Sequence, residues 1–297
     1  MTTAQAVQFN ERLALANREL NDSATGWARP MAEALKGGRG DPAAMKAGVA
    51  QAGQAFARVK ARMLSVSVPD DDSARAYFAA HQRFLAVEDG IVNRQLPTLA
   101  ELMADARLTG PARTFALSRA FTAMVFEEQQ ALHAFAGAQA AFAGANGIRM
   151  DVDPRQAAAS VMQSCVLANQ RIGTAEQGLT ELVRPALDGK PVAAPAAEAA
   201  LADYRQTLVE VRAMLAGVDA SGTVPDLRAA ERALLEVDAG PLAEAFADVV
   251  RLAREPAPAE RRAQVRAALA AAMERERAAL EKVRNAAQVV SLEFPGL

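Results

Sequence analysis

Residues 113–147 indicate the fold most clearly; they read RTFALSRAFTAMVFEEQQALHAFAGAQAAFAGANG. Apolar residues recur in this stretch in steps of three, four or seven, which is the spacing of one face of an α-helix. That face is formed by Leu117, Phe121, Met124, Leu132, Phe135 and Phe142, with Glu128 in the middle of it. The stretch is therefore predicted to be a long helix that carries one carboxylate on its apolar face.

The same face recurs near the other end of the chain as Val265, Leu269, Ala272, Glu276, Leu280, Val283 and Val290. Earlier segments repeat as well, because residues 15–64 align without a gap to residues 167–216. The identical positions other than alanine are Leu15, Asn17, Gly26, Leu35, Gly37, Gln54 and Val59. Self-similarity over this length indicates an internal duplication, in which each half holds the same set of helices.

Helix boundaries follow from ordinary start and stop signals. Asp41-Pro42 and Asp153-Pro154 each predict a capping aspartate followed by a proline in the first helical turn. Glycines at Gly37-Gly38, Gly110 and Gly147 predict helix ends. The predicted helices span residues 4–36, 42–65, 71–106, 111–144, 154–188, 195–215, 226–254 and 259–291. Short loops favour antiparallel neighbours. The predicted fold is all-α, with two tandem, internally duplicated antiparallel four-helix units, residues 1–149 and 150–297, packed together.

Prolines and glycines inside these helices predict local irregularities. Pro30 and Pro185 lie inside the first helix of each half, where a proline removes a hydrogen bond, so a kink or break is expected. Pro97 and Pro241 predict the same for the third helices. Gly137 and Gly144 recur seven residues apart and either permit a close helix approach or reflect an alanine-rich run that looks periodic by chance.

Composition excludes several classes of protein. The chain has 297 residues, a formal charge of −2 and one cysteine, so it has no basic face for nucleic acid and cannot form an internal disulfide. The least polar segment, residues 134–148, is too short to span a bilayer. No charged and then apolar leader precedes residue 10, and we expect a cytoplasmic protein.

Four acids lie on predicted apolar faces. Glu88 and Asp238 occupy this position in the third helix of each half, and Glu128 and Glu276 occupy it in the fourth. If the third and fourth helices form a hairpin, Glu88 faces Glu128 and Asp238 faces Glu276 at one level. Two facing acids cannot both ionise cheaply in an apolar bundle, so they share a proton or bind a cation.

Three interpretations of these acids remain open. The acids lie at the core edge and pair with arginines such as Arg83, Arg94 or Arg119, or they form a buried polar layer that fixes helix register. The third interpretation is a ligand site at Glu88, Glu128, Asp238 and Glu276. In the first half it would be a divalent metal site with His81 and His133, since carboxylates and imidazoles on facing helices bind iron or manganese in bundles. Against the metal, no Glu-x-x-His pair occurs, and no other cofactor is indicated.

The distribution of aromatic residues bears on function. Most of the 11 phenylalanines and the only tryptophan, Trp27, lie in the first half, and Phe115, Val125 and Phe126 lie off the main face of their helix, which predicts that the helix contacts the second half. The leading hypothesis is a non-enzymatic interaction or scaffold protein whose protein partner binds the first half or a groove between the halves. The alternative is a ligand- or metal-binding, sensory bundle. An enzyme is disfavoured because no nucleophile, base and orienting group occur together.

Overall fold

A computed structural model describes residues 1–35, 40–108, 110–149, 153–217, 222–255 and 257–295. In these ranges all regular secondary structure is helical, which confirms the predicted all-α class. The chain divides into two compact units, Met1–Asp151 and Val152–Leu297. Among the helices that the structure describes, none combines the length and low polarity that crossing a bilayer requires. The predicted Gly37-Gly38 helix end and the side chains of Asn17 and Phe115 lie outside the described part.

The first unit is built from two long helix pairs. Its helices are α1 (Thr3–Leu35), α2 (Pro42–Leu64), α3 (Asp72–Gly90), a π-helical turn (Ile91–Gln95), α4 (Leu96–Ala104) and α5 (Gly110–Ala145). Helix α1 packs on α2, α3 packs on α5, and α4 contacts both α2 and α5. Phe9, Tyr77 and Phe142 fill one end of the core, with ring centroids 5.0–6.1 Å apart.

The second unit has a similar series of elements. Its helices are α6 (Pro154–Leu187), α7 (Ala194–Gly217), α8 (Pro225–Val237), a second π turn (Asp238–Leu242), α9 (Ala243–Arg254) and α10 (Ala259–Glu293). Helix α6 packs on α7, α8 packs on α10, and α9 contacts α6, α7 and α10. Its core contains two large aromatic residues, Tyr204 and Phe246, with ring centroids 5.7 Å apart.

Both predicted aspartate caps are confirmed. The Asp41 carboxylate accepts hydrogen bonds from the backbone N–H groups of Ala43 and Ala44 at 2.9 and 3.0 Å. Asp153 accepts one from Arg155 at 2.9 Å. These acceptors satisfy donors that have no partner inside the first helical turn, and they fix where α2 and α6 begin.

The prolines behave differently from one another. Pro30 and Pro185 lie within continuous α-helices, so of the predicted kink or break the break does not occur at these two positions. Both lie in the last two turns, so only a few helical residues follow them. The third helices are instead interrupted by a π turn near Pro97 and at Pro241. There the Leu96 N–H donates to the carbonyl of Ile91, one residue further back than in an α-helix, which accommodates the missing proline donor.

One residue of the predicted apolar face of α5 is not buried. Leu117, Met124, Phe135 and Phe142 are buried, but Leu132 is exposed. Ala131 packs against the core in its place. Steps of three and then four residues from Glu128 lead to Ala131 and Phe135, so the small residue, not the large one, continues the face.

The close helix approach occurs at a different pair of glycines from the predicted one. A Cβ atom added at Gly137 or Gly144 would meet nothing within 4 Å, so these glycines form no tight contact. A Cβ at Gly48 of α2, in contrast, would lie 2.6 Å from the Trp27 backbone nitrogen and would also overlap the Gly26 backbone. Helices α1 and α2 therefore touch backbone to backbone at Gly26 and Gly48.

Candidate functional site

In the first unit, Glu88 on α3 and Glu128 on α5 lie close enough to influence each other. Glu88 is 7% exposed, and burial together with the neighbouring Glu128 carboxylate raises its pKa to about 8. Burial raises the pKa of Glu128 as well. Among the described residues, no hydrogen-bond partner reaches Glu88 Oε1, so no arginine neutralises that oxygen. At neutral pH, Glu88 is therefore mainly protonated.

The two histidines of the first unit are held neutral. His81 on α3 is fully buried, and burial lowers its pKa to about 4. Its ring lies against Phe135 and Phe84, with centroids 5.2 and 6.4 Å away. Burial also lowers the pKa of His133 on α5, and in the described part of the chain neither of its ring nitrogens has a hydrogen-bond partner. An apolar setting of this kind favours the uncharged imidazole.

The second unit brings together more acids than were predicted. Asp238 in the second π turn is 1% exposed, and burial, followed by the charges of Glu276 and Glu231, raises its pKa to about 8. Glu176 on α6 hydrogen-bonds to Glu276 on α10, a contact that requires one of the two carboxyl groups to be protonated. Burial and the Glu276 charge raise the pKa of Glu176 to about 8. The cluster stores protons at neutral pH.

Sequence reasoning missed Glu176, although a signal for it exists. Glu176 lies four residues after Ile172 and three before Leu179, both of which are buried on α6. That spacing is the one that identified Glu128 on α5. The aligned residue of the first half is Ala24. Because no acid recurs at this position, the duplication does not indicate Glu176.

Glu231 was also left out of the predicted site. It is 2% exposed and occupies the position that aligns with His81. Asn169 Nδ2 donates a hydrogen bond to Glu231 Oε1 at 2.8 Å, and the Cys165 thiol donates a second one. Burial outweighs these two bonds and raises the pKa of Glu231 to about 7.

A metal centre gains no support from this geometry. Within the described ranges, no group of three or more His, Cys, Asp or Glu side chains is arranged to hold a metal ion. The metal hypothesis for His81, His133, Glu88 and Glu128 stays a prediction.

Each unit also has a groove between its second and third helices. In the first unit the groove lies between α2 and α3 and has a volume of about 390 Å³. Its lining residues are mainly apolar: Phe56, Lys60, Met63, Leu64, Val66, Phe78, Gln82, Leu85, Ala86 and Asp89. Leu64 at its edge is 83% exposed. The only lining charges, Lys60 and Asp89, pair with each other at 3.3 Å.

The second unit has a cavity of about 370 Å³ lined by α6, α7 and α8. Buried Cys165 and Glu231 lie at its inner end, and Arg212, Arg228 and Arg232 line it further out. Burial and the adjacent Glu231 raise the pKa of the Cys165 thiol. Because thiols react as thiolates, this cysteine is a poor nucleophile at neutral pH.

Comparison with known proteins identifies no matching family model, no similar curated protein and no similar solved structure. The site must therefore be interpreted from its own chemistry. Its carboxyl groups are mostly buried and protonated, its thiol is protonated, and its grooves are lined by apolar residues and arginines.

Proposed function

We propose that this protein is a non-enzymatic, cytoplasmic interaction module, in which the groove between α2 and α3 of the first unit binds a partner protein. The observation that carries the proposal is the apolar lining of this groove together with the exposed Leu64 at its edge. Exposed apolar concavities of this kind are typical of surfaces that bind other proteins. Met63 lines the groove with a buried but adaptable side chain of a type common at such surfaces.

The partner that fits the groove is an amphipathic helix with leucine or phenylalanine anchors. Lys60 and Asp89 neutralise each other, and the Lys60 ammonium lies 5.7 Å from the centroid of the Phe56 ring. The groove thus offers no unpaired charge to a partner, so the complementary surface is the uncharged, apolar face of a helix. Anchors spaced by three or four residues match a groove between two helices.

The groove proposal predicts that Leu64→Glu weakens binding of a model helix. The probe is a fluorescein-labelled amphipathic peptide of about 18 residues, long enough to be partly helical alone, with leucines on one face. A buried glutamate in the apolar contact should weaken binding at least about tenfold, because desolvating an unpaired charge is costly. Fluorescence anisotropy measures the dissociation constant.

Leu15→Glu is the matched control, since Leu15 is an exposed leucine on α1 of the same unit. It should leave the affinity unchanged. Equal binding by the wild type and Leu64→Glu, or equal loss in both variants, would contradict the proposal.

We further propose that the two units arose by duplication of one helical unit. Buried positions correspond in pairs along the third and fourth helices. These pairs are Tyr77 and Leu227, His81 and Glu231, Glu88 and Asp238, Leu99 and Val249, and Phe135 and Phe142 with Val283 and Val290. The two π turns and the two grooves support the same relation. In each unit, the buried acids would then serve as an inherited polar layer that fixes helix register.

A ligand-binding, sensory bundle is the second candidate. The observation in its favour is that Glu88 Oε1 and both ring nitrogens of His133 are buried, with no hydrogen-bond partner among the described residues. Buried polar atoms without partners are rare in folded proteins and mark places where a ligand or water completes the bonding.

The interaction proposal predicts that the purified protein contains no stoichiometric metal. Elemental analysis of wild type checks this, with Glu88→Gln and Glu128→Gln measured beside it. One equivalent of metal in the wild type that disappears in both variants would overturn the prediction and favour the second candidate.

A further inference from the structure

The cavity of the second unit differs from its first-unit counterpart in charge. The two share seven aligned lining positions: Lys60 and Arg212, Met63 and Leu215, Leu64 and Ala216, Phe78 and Arg228, Gln82 and Arg232, Leu85 and Leu235, and Ala86 and Glu236. At two of these positions the second unit has an arginine where the first has a phenylalanine or a glutamine. At these positions the second unit therefore has two more cationic side chains and one more acidic side chain than the first.

The interior of the cavity is apolar apart from one acid that is already hydrogen-bonded. Val161, Cys165 and Leu235 are buried and line it. Glu231 accepts hydrogen bonds from Asn169 and Cys165, so it does not require a cation from outside. A ligand body that enters here removes apolar surface from water.

The outer part of the cavity is lined by three guanidinium groups. Arg212 forms an ion pair with Glu236 at 2.7 Å, and Arg228 and Arg232 line the same rim. Guanidinium groups donate paired hydrogen bonds to carboxylate and phosphate groups in a planar geometry. The volume of about 370 Å³ lies within the range of small-molecule sites.

We propose that this cavity binds a small organic anion, with the apolar body of the ligand against Val161, Cys165 and Leu235 and its carboxylate or phosphate on Arg228 and Arg232. The site is separate from the α2–α3 groove of the first unit. It adds a small-molecule function to an interaction module.

Binding is tested with three probes of one shape: 2-naphthoate, 2-naphthyl phosphate and the neutral 2-acetylnaphthalene. Isothermal titration calorimetry on the full chain measures each affinity. At least one anionic probe should bind about tenfold or more tightly than the neutral one, because a charge-assisted hydrogen bond contributes about 1.5–3 kcal/mol. The tighter of the two anions identifies the head group as carboxylate or phosphate.

Slow alkylation of Cys165 reports whether the probe occupies the cavity, because the buried, protonated thiol reacts only when its surroundings open. Cys165 is the only cysteine of the chain, so alkylation by N-ethylmaleimide, followed by intact mass, measures one site. A bound probe should slow this alkylation at least about fivefold at saturation, by mass action on the occupied site.

Substitutions test which arginines bind the anionic group of the probe. Arg232→Gln and Arg228→Gln should each weaken binding of the anionic probe about tenfold and leave the neutral probe unaffected. Gln82→Ala, at the position of the first unit that aligns with Arg232, is the matched control and should change nothing. Equal affinity for all three probes, binding without protection of Cys165, or no binding at all would overturn the proposal.

Discussion

Replacing Gly48 with alanine should lower the free energy of unfolding of the first unit by about 2 kcal/mol. In an exposed helix the same replacement is stabilising, because alanine loses less backbone entropy on folding than glycine. At Gly48, however, the new Cβ would lie 2.6 Å from the Trp27 backbone nitrogen and against the Gly26 backbone. Backbone atoms cannot turn aside as a flexible side chain can, so α1 and α2 must separate and lose packing along their length.

Trp27 provides the measurement, since it is the only tryptophan and lies at the crossing itself. Its fluorescence during urea unfolding reports the first unit separately, which matters because a chain of two units need not unfold in one step. Gly137→Ala is the matched control: it lies in α5 with nothing within 4 Å of the added Cβ, and it should raise the unfolding free energy by about 0.5–1 kcal/mol.

Gly26→Ala should cost less than Gly48→Ala. Its nearest obstacle is Gln51 Oε1, at 2.8 Å from the added Cβ, and that atom ends a flexible side chain. If Gly48→Ala and Gly137→Ala shift the unfolding midpoint in the same direction, the backbone contact between α1 and α2 does not exist in solution.

The helices could be predicted from the sequence because their signals are local. Asp41 and Asp153 mark helix starts by their own chemistry, and the apolar faces follow from a fixed period of 3.6 residues. The helical period assigns a residue to one face of a helix. It gives no information on how much space the neighbouring helices leave for that side chain. This is why Leu132 was placed in the core where Ala131 lies.

Contacts between helices could not be predicted in the same way. The Gly26 and Gly48 contact depends on where α1 crosses α2, which no local pattern specifies. The two grooves arise from the spacing of neighbouring helices, and Glu176 becomes part of an acid cluster only because α6 lies beside α10. The duplication indicates the acids that recur in both units, but it gives no indication of acids, such as Glu176, that occur in only one.

The stability of the second unit should fall as the pH rises from 5 to 8. Asp238, Glu176 and Glu231 have pKa values of about 8, 8 and 7 in the folded protein, whereas such acids titrate near about 4 in an unfolded chain. Between these values the folded unit holds protons that the unfolded chain has released. The contribution of these groups to the stability of the second unit is therefore fully present below pH 4. It is lost as the pH rises through their folded pKa values.

The expected slope is at least about 1 kcal/mol per pH unit, since one proton difference corresponds to about 1.36 kcal/mol per unit. Several groups contribute, but Glu176 and Glu276 share a hydrogen bond and do not titrate independently. Unfolding of the second unit in the intact chain is followed by hydrogen exchange at increasing urea concentration. Mass spectrometry of peptides from α8 and α10 measures the exchange.

Asp238→Asn should remove one proton's share of this pH dependence, about 1.36 kcal/mol per pH unit, and stabilise the second unit at pH 8 by at least about 2 kcal/mol. The amide keeps the size of the protonated acid but cannot ionise beside Glu276 and Glu231, the two carboxylates whose charges raise the pKa of Asp238. Below pH 4 the variant and the wild type should be nearly equal, because Asp238 is protonated there in both the folded protein and the unfolded chain. Glu181→Gln, an exposed acid on α6, is the control and should keep the wild-type slope. A wild-type slope near zero, or an Asp238→Asn slope equal to that of the wild type, would show that Asp238 is already ionised in the folded protein and that its burial is balanced by a cation or water.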